Sequence, residues 1–296
     1  MTDQQEANQP QNESFANPEV LEFYRTLPFN YRDSIDDHVS AIRDNSVLST
    51  YAPLLPLLKG RARKRVLEVG CSVGWLSMGM AHHHNASVRA IDFNPVVIER
   101  AQAINETMAL DVAFEVADLF TYEPNETFDV VASMGVRHHT DNCLAAVHRL
   151  CSDFVAPDGH VMIGLYHEPG HRPFLDHFAH MQQQGASESE MMAEYARLHS
   201  WLSDPLHIKS WFRDQVLHPH ETQHTLQEMM SVLAATKMRL TATSINRFQP
   251  LPKDVASLFS MEQDLAELSH QRLAEGSYYP GFFVFFAQKD KNHFEE

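Results

Sequence analysis

Arg65-Val-Leu-Glu-Val-Gly-Cys-Ser-Val-Gly74 is the stretch on which the fold turns. A short apolar run ends in a glycine turn, and Trp75-Leu-Ser-Met-Gly-Met-Ala81 behind it reads as a helix. The pattern then repeats downstream. Ser87–Asp92 reads as a second strand, and Pro95–Leu110 as a helix with Pro at its first turn, where an N–H would lack a partner anyway. Ala113–Ala117 and Phe128–Ser133 read as the third and fourth strands. Thr140–Val155 reads as a helix capped by Thr140 or Asp141, and Gly159–Leu165 as a fifth strand. Strands alternating with helices over a hundred residues predict an α/β chain of βαβ units on a parallel sheet.

Outward from this core the rhythm changes. Upstream, Val20, Leu21, Phe23, Tyr24 and Leu27 give one helical face, and apolar spacing continues to Leu58, cut by Pro28, Pro53 and Pro56. The first eighteen residues are rich in Gln, Asn, Glu and Pro and predict a disordered tail. Downstream, Tyr166–His220 is rich in His, Met and aromatics, with helix-like pieces near Pro173–Gln184 and Glu188–Leu198. It reads as an insertion on the sheet. A helix over Glu221–Thr236, a strand over Leu240–Asn246, a second helical insertion over Pro252–Glu275 and an aromatic strand over Gly281–Gln288 complete the chain. The expected division is a tail (1–18), an N-terminal helical cover (19–60), a core (61–166), a helical substrate lid (167–220) and a C-terminal completion of the sheet (221–296).

Composition narrows the function. The 296 residues carry 39 acidic and 23 basic side chains, a formal charge of −16, which speaks against nucleic acid, whose phosphates call for a basic footprint. The basic run Lys59–Arg65 reads as a solvated lead-in to a buried strand. No stretch approaches the roughly 18 consecutive apolar residues of a membrane span, and the polar N-terminus has no signal-peptide pattern. Three cysteines, one inside the glycine turn, predict free thiols in a reducing compartment, hence a cytoplasmic location.

The candidate site is Glu68, Gly70 and Gly74 at the end of the first strand, with Asp92 ending the second. Glycines there allow a tight turn and close backbone approach, and an acidic residue about 20 positions on is placed to accept ribose hydroxyls. These residues resemble the class I S-adenosylmethionine-dependent methyltransferases over roughly residues 64–166 and the closing strands. Val66–Gly74 resembles the family's first motif, Ile91–Pro95 its ribose segment, and Val116–Leu119 the segment whose acidic side chain holds the adenine amino group. Phe128–Thr140 is similar to its fourth-strand motif, and Gly159–Gly164 to its fifth strand. The resemblance implies a Rossmann-like, mostly parallel seven-stranded sheet with helices on both faces and an antiparallel final strand. It implies S-adenosylmethionine as cofactor, contacted by Glu68, Gly70, Cys71, Ser72, Gly74, Asp92, Phe93, Asp118, Leu119, Ser133 and Met134. Two departures stand out: Ser72 replaces the middle glycine, and Arg137 a common Leu.

Methyl transfer from a sulfonium is an in-line displacement, helped mainly by orientation and water exclusion. A base is required only where the nucleophile must lose a proton. His138 and His139, just after the fourth strand, are the candidate catalytic groups. Tyr31, Arg137, His167, Trp211 and His218 are candidate substrate contacts. His220-Glu-Thr-Gln-His224 spells a zinc-protease pattern, but Pro219 puts His220 at a helix start, and no metal is expected. His82-His83-His84 reads as a helix end, where cations suit the dipole. The function expected is transfer of a methyl group to a small-molecule acceptor, with no nucleic-acid or membrane partner. The alternatives are a protein or tRNA methyltransferase and a non-catalytic binding module. The acceptor and the oligomeric state stay open.

Overall fold

The computed structural model describes residues 18–32, 34–44, 46–60, 62–135, 142–279 and 281–291. Four short helices lead in: α1 (Pro18–Thr26), α2 (Ile35–Arg43), α3 (Ser46–Thr50) and α4 (Leu54–Leu58). The core then alternates β1 (Arg65–Val69), α5 (Trp75–His84), β2 (Ser87–Asp92), α6 (Pro95–Met108), β3 (Val112–Val116), β4 (Phe128–Met134), α7 (Cys143–Arg149) and β5 (Val155–Tyr166). Three helices follow, α8 (Glu168–Gln183), α9 (Glu188–Leu198) and α10 (Pro205–Val216), then α11 (Leu226–Ala235), β6 (Met238–Thr243), α12 (Ala256–Ala274) and β7 (Phe282–Lys289).

The strands form one seven-stranded sheet in the order β3-β2-β1-β4-β5-β7-β6. β1 to β5 pair in parallel, while β7 runs antiparallel to both β5 and β6. Antiparallel direction therefore belongs to β7 alone. Both faces of the sheet are covered, which is why β1 reads as nearly continuous apolar sequence. Leu67 and Val69 point into one core with Val131, Val161 and Phe285, whereas Val66 points into the other with Met78, Val88 and Phe286. Each such side chain contributes about 1.5–3 kcal/mol by leaving water. Strand alternation places Glu68 on the Val66 side, against α5.

Local chemistry sets the element boundaries. α6 begins as predicted, with the Asn94 carboxamide oxygen accepting the Val96 N–H at 3.0 Å and Pro95 in the first turn. α7 is capped by Asn142, whose Oδ1 accepts the Ala145 N–H at 3.0 Å; this corrects the expected cap at Thr140 or Asp141, two residues outside the described ones. A wider turn at Leu150–Phe154 follows, and the Lys289 ammonium donates to the carbonyls of Cys151, Ser152 and Val155 there. α5 ends at His84 as expected, but burial, then the neighbouring His83, pushes the His82 and His84 imidazoles toward the neutral form. The basic run is tied down: Arg63 donates to the carbonyls of Asn85 and Ala86, and Arg65 faces Glu126 and Asp129.

The segment after β5 departs further from expectation. α8 begins at Glu168 rather than Pro173, because the His167 ring caps it, Nδ1 accepting the Gly170 N–H at 3.2 Å. α10 was not anticipated at all; Asp204 caps it by accepting the His207 N–H at 2.7 Å. α8, α9 and α10 share a core of their own, built on Phe174, Phe178, Tyr195 and Phe212. The helix expected from Glu221 begins only at Leu226, where Thr225 and Glu228 form a reciprocal cap. Residues 220–224 form no helix, and His224 bridges to the end of β5 instead: its N–H donates to Tyr166 O and the Glu168 N–H to His224 O. His220 and His224 therefore do not share a helix face, as zinc-protease chemistry would require.

Candidate active site

The strand order reverses between β1 and β4, and in open α/β sheets that point marks where ligands bind, beyond the carboxyl ends of the strands. Here a cavity of about 820 Å³ lies there. Five strand ends contribute to it: Gly70 after β1, Asp92 to Asn94 at β2, Ala117 to Phe120 after β3, Met134 and Gly135 at β4, and Tyr166 at β5. Most of the cofactor contacts expected from sequence thus meet in one place. Glu68, Gly70, Cys71, Ser72, Asp92, Phe93, Asp118, Leu119 and Met134 all line it.

Asp92 is buried and fixed by two backbone donors, the Ser72 N–H to Oδ2 and the Asn94 N–H to Oδ1, both at 2.9 Å. Burial raises its pKa to about 6, against the pull of those two donors. The Gly70 and Cys71 N–H groups both donate to Ile91 O, so the turn braces the end of β2. Ser72 adopts φ +48°, in the left-handed region where the family's glycine would sit without strain. Its hydroxyl lies 3.5 Å from Phe29 O, in reach of the N-terminal segment.

Glu68 is buried at the cavity floor and accepts the Ser77 hydroxyl of α5. Burial raises its carboxyl to about 8, with Asp92 pushing the same way. The Cys71 thiol is pushed well up, mainly by burial, which disfavours the reactive thiolate. Asn94 has a second feature: its Nδ2 is buried without a hydrogen-bond partner, and the residue lines the cavity.

Two expected cofactor residues stand behind the wall. Gly74, at φ +81°, caps α5, and a Cβ there would come within 2.6 Å of Phe114 Cζ. The Ser133 hydroxyl donates to Val69 O at 2.9 Å, tying the ends of β4 and β1. Among the expected substrate contacts, Trp211 lines the cavity, 5.0 Å from the Phe29 ring. Tyr31, His167 and His218 are not among its lining residues. Tyr31 packs by His38 under the Arg100 guanidinium. His167 is buried, with Nε2 3.0 Å from Glu262 Oε1. His218 packs on Phe23 and Tyr24, one layer behind the wall. Arg137, His138 and His139 lie outside the described residues.

The other half of the cavity was not legible in advance. Tyr24 and Asn30 come from the N-terminal segment, Asp214 and Gln215 from α10, Tyr278 from the turn before β7. Tyr24 and Asp214 are 190 positions apart, and no periodicity joins them.

Residues 66–159 match the family model described as a methyltransferase domain. They form a class I methyltransferase domain. Over 104 residues the chain is 39% identical to the ubiquinone biosynthesis O-methyltransferase of Neisseria meningitidis serogroup C. That match takes in 33% of this chain and 42% of the relative, so less than half of the relative's length is spanned. Phosphoethanolamine N-methyltransferase of Triticum aestivum is 30% identical over 141 residues, 47% of this chain and 27% of that one. Among solved structures, the plantazolicin methyltransferase BpumL, in complex with a pentazolic desmethylPZN analog and SAH, superposes with a TM-score of 0.52 at 15% identity. It takes in 93% of this chain and 92% of that one. PKMT2 of Rickettsia typhi, in complex with AdoHcy, gives a TM-score of 0.56 at 13% identity, over 78% of this chain and 49% of that one. At these identities the superpositions speak for the fold. No helix among the described residues is long and apolar enough to cross a membrane.

Proposed function

We propose that the chain is an S-adenosylmethionine-dependent methyltransferase whose acceptor is a small molecule bound in the 820 Å³ cavity. The observation that carries this reading is the Asp92 carboxylate, held by two N–H donors at the end of β2, beside the glycine turn and open to the cavity. The residues present fit such a cofactor. A nucleoside's paired hydroxyls need an acceptor, which Asp92 supplies, and the unpartnered Asn94 Nδ2 is a donor in need of one. When bound, S-adenosylmethionine supplies an electrophilic methyl group on a cationic sulfur. We assign Asp92 to the ribose, Asp118, Leu119 and Phe93 to the base, and the Gly70–Gly74 turn with Glu68 and Met134 to the remainder.

The chain's own contribution to the reaction is orientation and exclusion of water. Apolar walls from Phe29, Trp75, Leu119 and Phe282 enclose the cavity, and orientation alone can lower a barrier by several kcal/mol. A volume of this size, walled on the acceptor side by α1 and α10, suits a small molecule better than a protein segment or a tRNA. The ubiquinone biosynthesis relatives support that choice. We assign residues 167–220 as the cover that selects the acceptor, and keep His138 and His139, directly after β4 in sequence, as the groups proposed to meet it.

Calorimetric titration of S-adenosylmethionine and S-adenosylhomocysteine tests the reading, with Asp92→Ala alongside. Wild-type protein should bind at micromolar concentration. The variant should bind about 100-fold more weakly, the consequence of losing two charge-assisted hydrogen bonds. Folded wild-type protein that binds neither compound would sink the proposal.

A further inference from the structure

We propose that Arg32 recognises a carboxylate, the one at the amino-acid end of the S-adenosylmethionine assigned above, and that Trp75 holds its guanidinium in position; this rests on the cavity being that cofactor's site. Arg32 lies in the segment between α1 and α2 and lines the cavity. Among the described lining residues it is the one Lys or Arg. The one imidazole among them, His207 of α10, is held below its ordinary range by burial and then by the Arg32 charge itself. It therefore adds no second cation at neutral pH.

The guanidinium is placed but not paired. It lies over the Trp75 ring, 5.4 Å from its centre, and Trp75 opens α5 directly behind the Gly70–Gly74 turn. The Arg32 carbonyl accepts from His38 Nε2 and from Arg100 Nη2, both at 3.1 Å, so the main chain is fixed as well. Yet Arg32 Nε is buried without a hydrogen-bond partner, and among the described residues the guanidinium forms no ion pair and donates no hydrogen bond. The Trp75 Nε1–H is likewise buried and unpartnered. Buried donors in folded chains are nearly always paired. Two unpaired donors on neighbouring side chains want an acceptor that the described residues do not supply.

The chemistry of that acceptor follows from the shape of the donor. Packing on a ring occupies the face of a guanidinium and leaves its N–H fork free in the plane. A carboxylate accepts two parallel bonds from such a fork. Held by the ring and the main chain, the fork loses little freedom on binding. S-adenosylmethionine carries one anionic group, its α-carboxylate, beside a cationic sulfur and an ammonium. Its nucleoside is assigned to Asp92 and Asp118 at the ends of β2 and β3, whereas Arg32 stands over the first residue of α5, beside the turn assigned to the remainder of the cofactor. The guanidinium is thus on the side of the cavity where the carboxylate belongs.

Calorimetric titration compares S-adenosylhomocysteine with its decarboxylated analogue, which keeps the nucleoside, the thioether and the amine. Wild-type protein should bind S-adenosylhomocysteine at least about tenfold more tightly than the analogue. Arg32→Met should bring the two compounds within about twofold of each other. The analogue's own affinity should stay within about twofold of wild type, which also shows that the variant folds. Arg32→Lys keeps the charge and loses the fork, so its preference should fall between the two. Wild-type protein that binds both compounds equally overturns the inference and leaves the cofactor reading standing. A full preference kept by Arg32→Met overturns it as well. Phenylacetate against phenethyl alcohol tests the other source of a carboxylate, the acceptor. An acid preference that vanishes in Arg32→Met, while the preference for S-adenosylhomocysteine persists, would assign Arg32 to the acceptor and overturn the inference. Folded wild-type protein that binds neither nucleoside refutes the cofactor reading, and this inference falls with it.

Discussion

Glu68→Gln probes the electrostatics of the cavity floor. Burial holds this carboxyl at about 8 in the folded chain, opposed by the Ser77 hydroxyl and reinforced by Asp92, against 4.5 for an ordinary Glu. Between those two values the folded chain retains a proton that the unfolded chain has released. The folded state then binds more protons, so stability falls as the pH rises through the window. At about 1.4 kcal/mol per pH unit the full fall is at most about 5 kcal/mol. Asp92, raised from 3.8 to about 6 by burial, adds a fall of the same sign at lower pH, which the variant keeps. The interval from pH 6 to 8 therefore isolates Glu68, and the wild type should lose about 3 kcal/mol more than the variant across it. Gln can still accept the Ser77 hydroxyl and can turn its amide toward the cavity, so the variant should fold and be the more stable protein at pH 8. Urea unfolding at half-unit steps of pH measures this, with the denaturant slope checked for constancy. Parallel curves for the two proteins would refute the reasoning, because the histidines and Asp92 are common to both.

Three further outcomes follow from the packing. Gly74→Ala should lose about 2–4 kcal/mol in urea unfolding, because φ is +81° and the new Cβ would press on Phe114 at 2.6 Å; a loss under about 0.5 kcal/mol would contradict the crowding. Glu262→Ala should lower stability by about 3–5 kcal/mol. It strips an acceptor from the Leu226 and Gln227 N–H groups and from His167 Nε2, all buried or partly so, and an unchanged melting temperature would show that water replaces the carboxylate. Phe174→Ala, in the core shared by α8, α9 and α10, should lose about 3–5 kcal/mol. Amide exchange should accelerate in those helices first, and equal acceleration in β1 to β5 would mean that the two cores unfold as one.

The order of elements in the sheet was legible because each signal is local. β2 matched its expected bounds from Ser87 to Asp92, since Val88, Ala90 and Ile91 supply its buried side chains and the next helix announces itself with Asn94-Pro95. The half of the cavity proposed for the cofactor was legible for the same reason: Asp92 ends its strand, and Gly70 and Asp118 follow theirs by a residue or two. Boundaries failed where a partner distant in sequence decides them. α11 begins at Leu226 because Glu262, 36 positions on, takes its first free N–H, while His224 is drawn into backbone pairing with Tyr166 and Glu168. Nothing in His220–His224 itself encodes that competition.

The half of the cavity proposed for the acceptor is the extreme case of the same physics. Tyr24, Tyr166 and Asp214 stand in three elements, and each alone has an ordinary reading: a helix aromatic, a strand end, a helix carboxylate. Their meeting depends on α10, whose existence was missed because its face is mixed, burying His207, Ser210, Asp214 and Gln215 beside Phe212. A polar buried face defeats an apolar-periodicity reading, yet it is what a binding site requires, since buried polar groups must be paired with each other or with a ligand. The Tyr195 hydroxyl donates to Gln215, and Trp211 with His207 meets Asn30 Oδ1. The helix with the most mixed face is thus the one whose side chains build this part of the cavity wall.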